Sequence, residues 1–362
     1  MSKILILPGD GIGIEVTEEC IKILNYFKPM FDIEFEKELF GGASIDKNGQ
    51  PLTQAVLDKA LESDAVLLGA VGGEKWENLE HNLKPEKGLL MLRKELETFA
   101  NLRPGKVFPA LLSASSLKKE IVNNTDILVI RELTGGIYFG EPRFIKKVNK
   151  KRIGGNTLVY DEDEIRRIAR MAFIYAKKRK NKVTSLDKAN VLEVMQLWRD
   201  VVNEVHDSEF RDVELEHLYI DNAAMQVIKR PSTFDVILAG NLFGDIISDE
   251  IAELTGSLGM LPSASIGNKA GIYEPVHGSA PDIAGKDIAN PIAAIMSLAM
   301  LFKYSLNLDN ISELIDTAIS NTLNSGIRTK DIHNDKDEEV VSCSQMGDII
   351  LTNIDEIKSK FI

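Results

Sequence analysis

Eight side chains in this sequence have the types and spacing to do chemistry: Arg93, Arg103, Arg131, Tyr138, Lys188, Asp221, Asp245 and Asp249. In "GLLMLRKELETFANLRPG" (88–105) two arginines stand ten residues apart, and the pattern places them at the two ends of one helix. "VIRELTGGIYFG" adds Arg131 just past an apolar strand, with Tyr138 seven residues on. A guanidinium presents a planar fork to a carboxylate, so three of them at element ends read as a polyanion clamp or as three unrelated surface ion pairs. "LYIDNAAM" ends a strand at Asp221, and "GNLFGDIISDEIAEL" carries Asp245 and Asp249 four apart on one helical face. Such carboxylates repel each other, which suits either a cation or an exposed acidic face; magnesium fits best because it takes a few carboxylates and leaves positions for substrate oxygens. "VTSLDKANVLEVMQLW" sets Lys188 just past a strand, at a helix start. A lysine crowded by arginines, a metal and a positive helix end releases its proton more readily and can serve as a base, whereas a solitary one is simply solvated.

These residues need a scaffold, and the chain supplies one. At 362 residues it is long for a single core, and two domains are expected. Strand-like and helix-like segments alternate, which predicts an α/β architecture with a largely parallel sheet. "AVLLGAVGG" (65–73), "TDILVIREL" (125–133) and "FDVILAGNL" (234–242) read as buried strands running into polar or glycine turns, where ligand sites of α/β folds gather. Amphipathic helices are expected over 163–180 and 191–206.

Composition narrows the function classes. The hydrophobic fraction is 44% and the charged fraction 27%, with mean hydropathy −0.07, as in soluble globular proteins. No apolar run reaches the roughly 18 residues of a membrane span; 292–302 reads as a buried helix. The first strand starts by Lys3, leaving no room for a signal or transit peptide, so a cytoplasmic location is expected. Cys20 and Cys343 lie far apart without metal-ligand spacing and are expected to be reduced and structural. The net charge of −12 disfavours nucleic acid and anionic lipid, and the basic run "KKRKNK" (177–182) is expected to end a helix, where cations suit the dipole.

Two glycine-containing stretches bear on a cofactor. "ILILPGDGIGIEV" (4–16) resembles a dinucleotide turn, but Gly9, Gly11 and Gly13 fall two apart and Ile14 takes the third glycine's place, so it is no Rossmann fingerprint. "YEPVHGSAPDIAGKDIANP" (273–291) is a long, non-repetitive loop and the better candidate for a dinucleotide.

Taken together, these segments resemble the β-decarboxylating dehydrogenases, the family of isopropylmalate and isocitrate dehydrogenases. The match runs colinearly from "LPGDGIG" to "MGD" (346–348), and "GNLFGDIISDEIAELTGSLGMLPSAS" and "EPVHGSAPDIAGKDIANP" carry most of its specificity. The family binds its cofactor without a Rossmann fingerprint, mainly through the late loop. The resemblance implies a two-lobed isopropylmalate dehydrogenase-like α/β fold, with residues 1–98 plus 257–362 as the cofactor lobe and 99–256 as the substrate, metal and dimerisation lobe. It implies that Arg93, Arg103 and Arg131 hold malate carboxylates and that Asp221, Asp245 and Asp249 hold Mg2+ or Mn2+, with Asp221 also near substrate. Lys188 and Tyr138 are then the acid/base pair. In the family the lysine and the aspartate matching Asp221 come from the partner subunit, so a homodimer is implied. The late segment "KDEEVVSCSQMGD" departs from the family's usual "GT" before the final Met-Gly-Asp, which bears on local loop geometry.

By the same resemblance, "PEKGLLMLR" (85–93) sets the substrate class, because isocitrate-using relatives carry small polar residues where this chain has Leu89 and Leu90. Burying three carbons of an isopropyl group there is worth roughly 2 kcal/mol, while a third carboxylate would lose hydration without a partner and meet Glu86. 3-Isopropylmalate is implied; D-malate, tartrate and homoisocitrate are the alternatives within the family, and a non-catalytic regulatory subunit the alternative outside catalysis. All eight groups that such subunits tend to lose are present. Asp282 implies NAD, since a carboxylate accepts from ribose hydroxyls and repels a 2′-phosphate. The remaining implied cofactor contacts are Gly73, Glu86, His277, Gly278, Ser279, Ala280, Ile283 and Asn290.

Overall fold

A computed structural model describes residues 1–362, the side chain of His81 excepted. The chain divides into two units: Met1–Thr98 with Val107–Lys119 and Ala252–Ile362, and Phe99–Lys106 with Glu120–Ile251. The expected boundaries at 98 and 256 leave out the excursion over Val107–Lys119, which groups with the terminal segments. Backbone carbonyls explain why: Arg328 donates to Ala110 O at 2.8 Å and Asn334 donates to Ser113 O.

In the first unit five strands lie in the order Ile33–Lys37, Ser2–Gly9, Ala65–Ala70, Gly271–Pro275, Pro262–Ile266; all pair in parallel except the last two, which are antiparallel. The apolar run at Ile4–Leu7 and every residue of Ala65–Ala70 are buried, as continuous apolar strands covered on both faces must be. Helix Ile292–Tyr304 is buried from Ile292 through Phe302, so the apolar run at 292–302 is a core helix. The turn after the first strand requires glycine at two points. A Cβ on Gly9 (φ +71°) would sit 1.9 Å from Ala70 O, and one on Gly11 (φ +56°) 2.0 Å from Ser279 O. Between them Asp10, 3% exposed, accepts from the backbone N–H groups of Gly42, Ala43 and Gly72 at 2.8–2.9 Å. Burial pushes its carboxyl above the usual range against those bonds. Asp10→Ala is expected to lower unfolding stability by about 2–4 kcal/mol, because three backbone donors, those of Gly42 and Gly72 buried, lose their acceptor; a denaturant midpoint equal to wild type would refute that anchoring role.

In the second unit the order is Ala100–Lys106, Asp126–Glu132, Val236–Ala239, Lys182–Asp187, Glu214–Tyr219, parallel apart from the first pair. Helix Glu162–Lys177 opens with a capping box in which Asp161 accepts from Glu164 N and Glu164 accepts from Asp161 N. Helix Glu193–Glu209 buries Met195, Trp198, Val201, Val202 and Val205 against the sheet side. The basic run at 177–182 does not simply end a helix: Lys177 closes it, Lys182 opens the next strand, and the cations are answered by Asp212, by Asp126 and Asp235, and by Glu214 and Glu216. Cys20 and Cys343 are buried free thiols, and burial pushes both up. Among the described residues no helix is long and apolar enough to cross a membrane.

Candidate active site

Three strands and one helix of the second unit place the charged group. Strand Asp126–Glu132 ends by delivering Arg131, and the neighbouring strand Ala100–Lys106 delivers Arg103. Arg103 is therefore on a strand, while Arg93 is on helix Pro85–Glu95, so the expected single helix ending at both is wrong. That helix stops because Leu96 caps it and Glu97 turns left-handed at φ +54°; residues 100–106 then pair one by one with 126–132. Strand Val236–Ala239 leads into helix Asn241–Leu254, which carries Asp245 and Asp249 on one face.

These elements meet in a dense network. Arg131, 2% exposed, donates from Nε and Nη2 to Asn241 Oδ1 at 3.1 and 2.8 Å, and from Nη1 to Asp245 Oδ1. Gly244 lets this happen, since a Cβ there would meet the Arg131 side chain at 2.7 Å. Arg103, 7% exposed, donates from Nε to Asn101 and from Nη1 to Ser248 Oγ at 2.7 Å, with Asp245 at 3.3 Å and Asp249 at 3.5 Å. Tyr138 donates its phenolic proton to Asp245 Oδ2 at 2.9 Å, and its ring lies 5.8 Å from the Arg131 guanidinium carbon. Burial, then the Asp245 charge, push the Tyr138 phenol above its ordinary value. Partial desolvation and the Asp245 charge likewise push the Asp249 carboxyl up.

Lys188 and Asp221 form a pair of their own at 2.6 Å, and the lysine holds the Asp221 carboxyl below the usual range. Lys188 follows strand Lys182–Asp187, as expected, but helix Glu193–Glu209 starts five residues later, so it is not at the start of that helix. Asp221 sits in the first turn of helix Ile220–Lys229 and does not end the preceding strand, which stops at Tyr219. Behind Lys188, Asp187 is fully buried and gripped by Arg199 at 2.8 and 2.9 Å. All three metal candidates are carboxylates already facing cationic or donor groups, a hard-oxygen set that fits Mg2+ or Mn2+. Among the described residues the group with ligand-type atoms within 4.8 Å of one another is a different one, Glu15, Asp287 and Cys343. Its carboxylates are answered by Gly285 N and by Ser344 N and Oγ, which tie the late loop to two helices.

In the first unit Arg93 donates from Nη2 to Glu274 at 2.7 Å, and its buried Nε has no partner among the described residues. The late loop touches the opening turn directly, with Ile12 N donating to Ser279 O at 2.8 Å. His277 keeps a buried Nε2 without a partner among the described residues, and burial pushes its pKa down, leaving it neutral. Gly278 faces open space, Ala280 holds a strained φ of +38°, and Asp282 is exposed. An orphaned imidazole nitrogen, bare backbone and an outward carboxylate fit a dinucleotide. Asn290, in contrast, spends its amide on Asp331, on Met260 Sδ and on the start of helix Ile292–Tyr304. Gly73 packs near Trp76, and Glu86 lies against Gly72. Leu89 packs partly against the core that contains Leu92 and Leu96. The sequence reading missed Asn241, Ser248 and Asn101, which hold the two buried arginines, and Glu274, which holds Arg93.

The isocitrate/isopropylmalate dehydrogenase family model matches residues 3–350. The chain belongs to that family. It is 56% identical to the 3-isopropylmalate dehydrogenase of Aquifex aeolicus over 361 residues, covering 99% of both chains. It is 55% identical to that of Pelagibacter ubique, covering 97% and 98%. Among solved structures it is similar to an isocitrate dehydrogenase from Methylococcus capsulatus, with a TM-score of 0.86 at 31% identity over 98% of this chain and 99% of the other. A β-decarboxylating dehydrogenase from Thermococcus kodakarensis matches with a TM-score of 0.80 at 32% identity, covering 99% and 98%. Members of this family share the α/β scaffold, so the substrate has to be argued from side chains.

Proposed function

We propose that this chain is a cytoplasmic, homodimeric enzyme that oxidises and decarboxylates 3-isopropylmalate with NAD, releasing 4-methyl-2-oxopentanoate, carbon dioxide and NADH in leucine biosynthesis. The observation that carries this reading is the Arg103–Arg131–Asp245–Tyr138 group, which sets anion binders, a carboxylate and a loaded proton donor within hydrogen-bond reach. The named relatives above 50% identity favour the branched substrate over isocitrate, as do Leu89 and Leu90.

Arg93, Arg103 and Arg131 hold the substrate carboxylates. Lys188 takes the hydroxyl proton, directly or through a water, as hydride leaves the same carbon. NAD would supply the hydride acceptor, and Mg2+ or Mn2+, which Asp221, Asp245 and Asp249 would hold, would supply positive charge that acidifies the hydroxyl and offsets negative charge developing at carbon dioxide loss. The C–C bond to the carboxylate β to the new ketone then breaks, releasing carbon dioxide, and Tyr138 gives its proton to the carbon left with that electron pair. Free buried cysteines suit a reducing compartment.

A homodimer is supported by apolar side chains left in water. The hairpin of strands Phe144–Val148 and Lys151–Gly155 is exposed along nearly its whole length, with Ile145 84% exposed. Val191, Met225 and Ile246 are 63%, 61% and 57% exposed, close in sequence to Lys188, Asp221 and Asp245. Exposed apolar groups that neighbour functional residues along the chain support a surface meant for a partner.

Asp282 is assigned to the adenosine ribose. Asp282→Lys is expected to move the ratio of kcat/KM for NAD over NADP toward NADP by roughly tenfold or more, about 1.4 kcal/mol. An unchanged ratio in parallel assays with the two nucleotides would remove Asp282 from that role.

A further inference from the structure

One side chain links the proposed substrate anchor to the proposed proton donor. Asn241 is 1% exposed, and its amide is fully used. Its oxygen accepts from Arg131 Nε and Nη2, while its Nδ2 donates to Leu133 O and Gly135 O, both at 3.1 Å. Those carbonyls belong to the turn that runs directly into Tyr138. Glu132 holds the same turn from below, accepting from Gly135 N, Thr134 N and Thr134 Oγ1, and Asn241 N donates to the Tyr160 hydroxyl at 2.7 Å. A Cβ on Gly136 would fall 2.3 Å from that same hydroxyl, so Tyr160 also packs closely against the turn.

We infer that Asn241 is a positioning residue that fixes the spacing between the Arg131 guanidinium and the Tyr138 phenol. It rests on the roles proposed above for those two residues. A primary amide is the side chain suited to the place: one end must accept from a cation, and the other must donate to two carbonyls. Aspartate keeps the first function and loses the second. Alanine loses both.

The test therefore compares N241D and N241A by steady-state kinetics with 3-isopropylmalate, by thermal melting and by crystal structures of the two variants. N241D is expected to lose about ten- to a hundredfold in kcat with KM nearly unchanged. N241A is expected to lose kcat to the same extent and to raise KM about tenfold besides, because Arg131 has lost its fork. In N241A the turn at 133–138 is expected to shift, so that the Tyr138 ring no longer lies 5.8 Å from the Arg131 guanidinium carbon. Wild-type kcat in folded N241D, kcat and KM shifting in the same proportion in both variants, or a failure of N241D to fold would each overturn the inference and leave Asn241 a structural residue. A wild-type enzyme that does not turn over 3-isopropylmalate refutes the proposed function instead, and the crystal structure of N241A then decides the inference: a Tyr138 unmoved beside Arg131 overturns it.

Discussion

Tyr138→Phe is expected to lower kcat for 3-isopropylmalate by about two to four orders of magnitude, the usual weight of a positioned acid or base, while KM stays within severalfold. The phenol is half-buried, hydrogen-bonded to Asp245 and pushed above its ordinary pKa by burial and by that carboxylate. In the chain without metal it therefore keeps its proton. Phenylalanine keeps the ring beside Arg131 and removes only the proton, so the loss belongs in kcat. Lys188→Met should produce a loss of the same order. Mixing the two inactive variants then tests the dimer. If Lys188 and Tyr138 of one site come from different protomers, half of each heterodimer is intact, and random reassociation restores about a quarter of wild-type activity by two-fold symmetry. A raised KM with unchanged kcat in Tyr138→Phe would contradict the proton-donor role, and a mixture that stays inactive would contradict the shared site.

How far the sequence led is clearest at Asp245 and Arg131. Their elements announced themselves: "TDILVIREL" and "FDVILAGNL" are apolar runs that became buried strands Asp126–Glu132 and Val236–Ala239, and a spacing of four put two aspartates on one helical face. Arg103 was harder. "ANLRPG" mixes Asn, Arg and Pro, none of which favours a strand, and the helical pattern before it gave no glycine to mark the break at Glu97. Only in the fold does it become clear that Asn101, fully buried, and Arg103 use those polar positions to reach each other and Ser248. The partners were illegible for a different reason. Glu274 lies 181 residues from Arg93, Asn241 110 from Arg131 and Ser248 145 from Arg103, and no local pattern reports such pairings. Lys188 was legible as a residue past a strand, but its setting was not: the intervening turn at 189–192 separates it from the helix.

Arg131→Met is expected to cost about 2–5 kcal/mol in kcat/KM, roughly thirtyfold to a few thousandfold. Three consequences add. The substrate loses a carboxylate partner, Asp245 loses its closest cation, and Asn241 is left with a buried acceptor unanswered. Arg131→Lys should recover little of this, because a point charge on a flexible stem cannot serve Asn241 and Asp245 at once. Thermal melting separates the contributions. A loss of kcat/KM with the melting temperature lowered by only a few degrees places the deficit in catalysis and binding. KM within twofold of wild type in folded Arg131→Met would remove this arginine from the anion clamp.

The most direct measurement is a comparison of 3-isopropylmalate with isocitrate, using the purified chain with NAD and Mg2+ or Mn2+ and following NADH and carbon dioxide together. The account predicts equimolar NADH and carbon dioxide from 3-isopropylmalate, dependence on the divalent ion, and far lower kcat/KM on isocitrate. No NADH from 3-isopropylmalate, or higher kcat/KM on isocitrate, would contradict it.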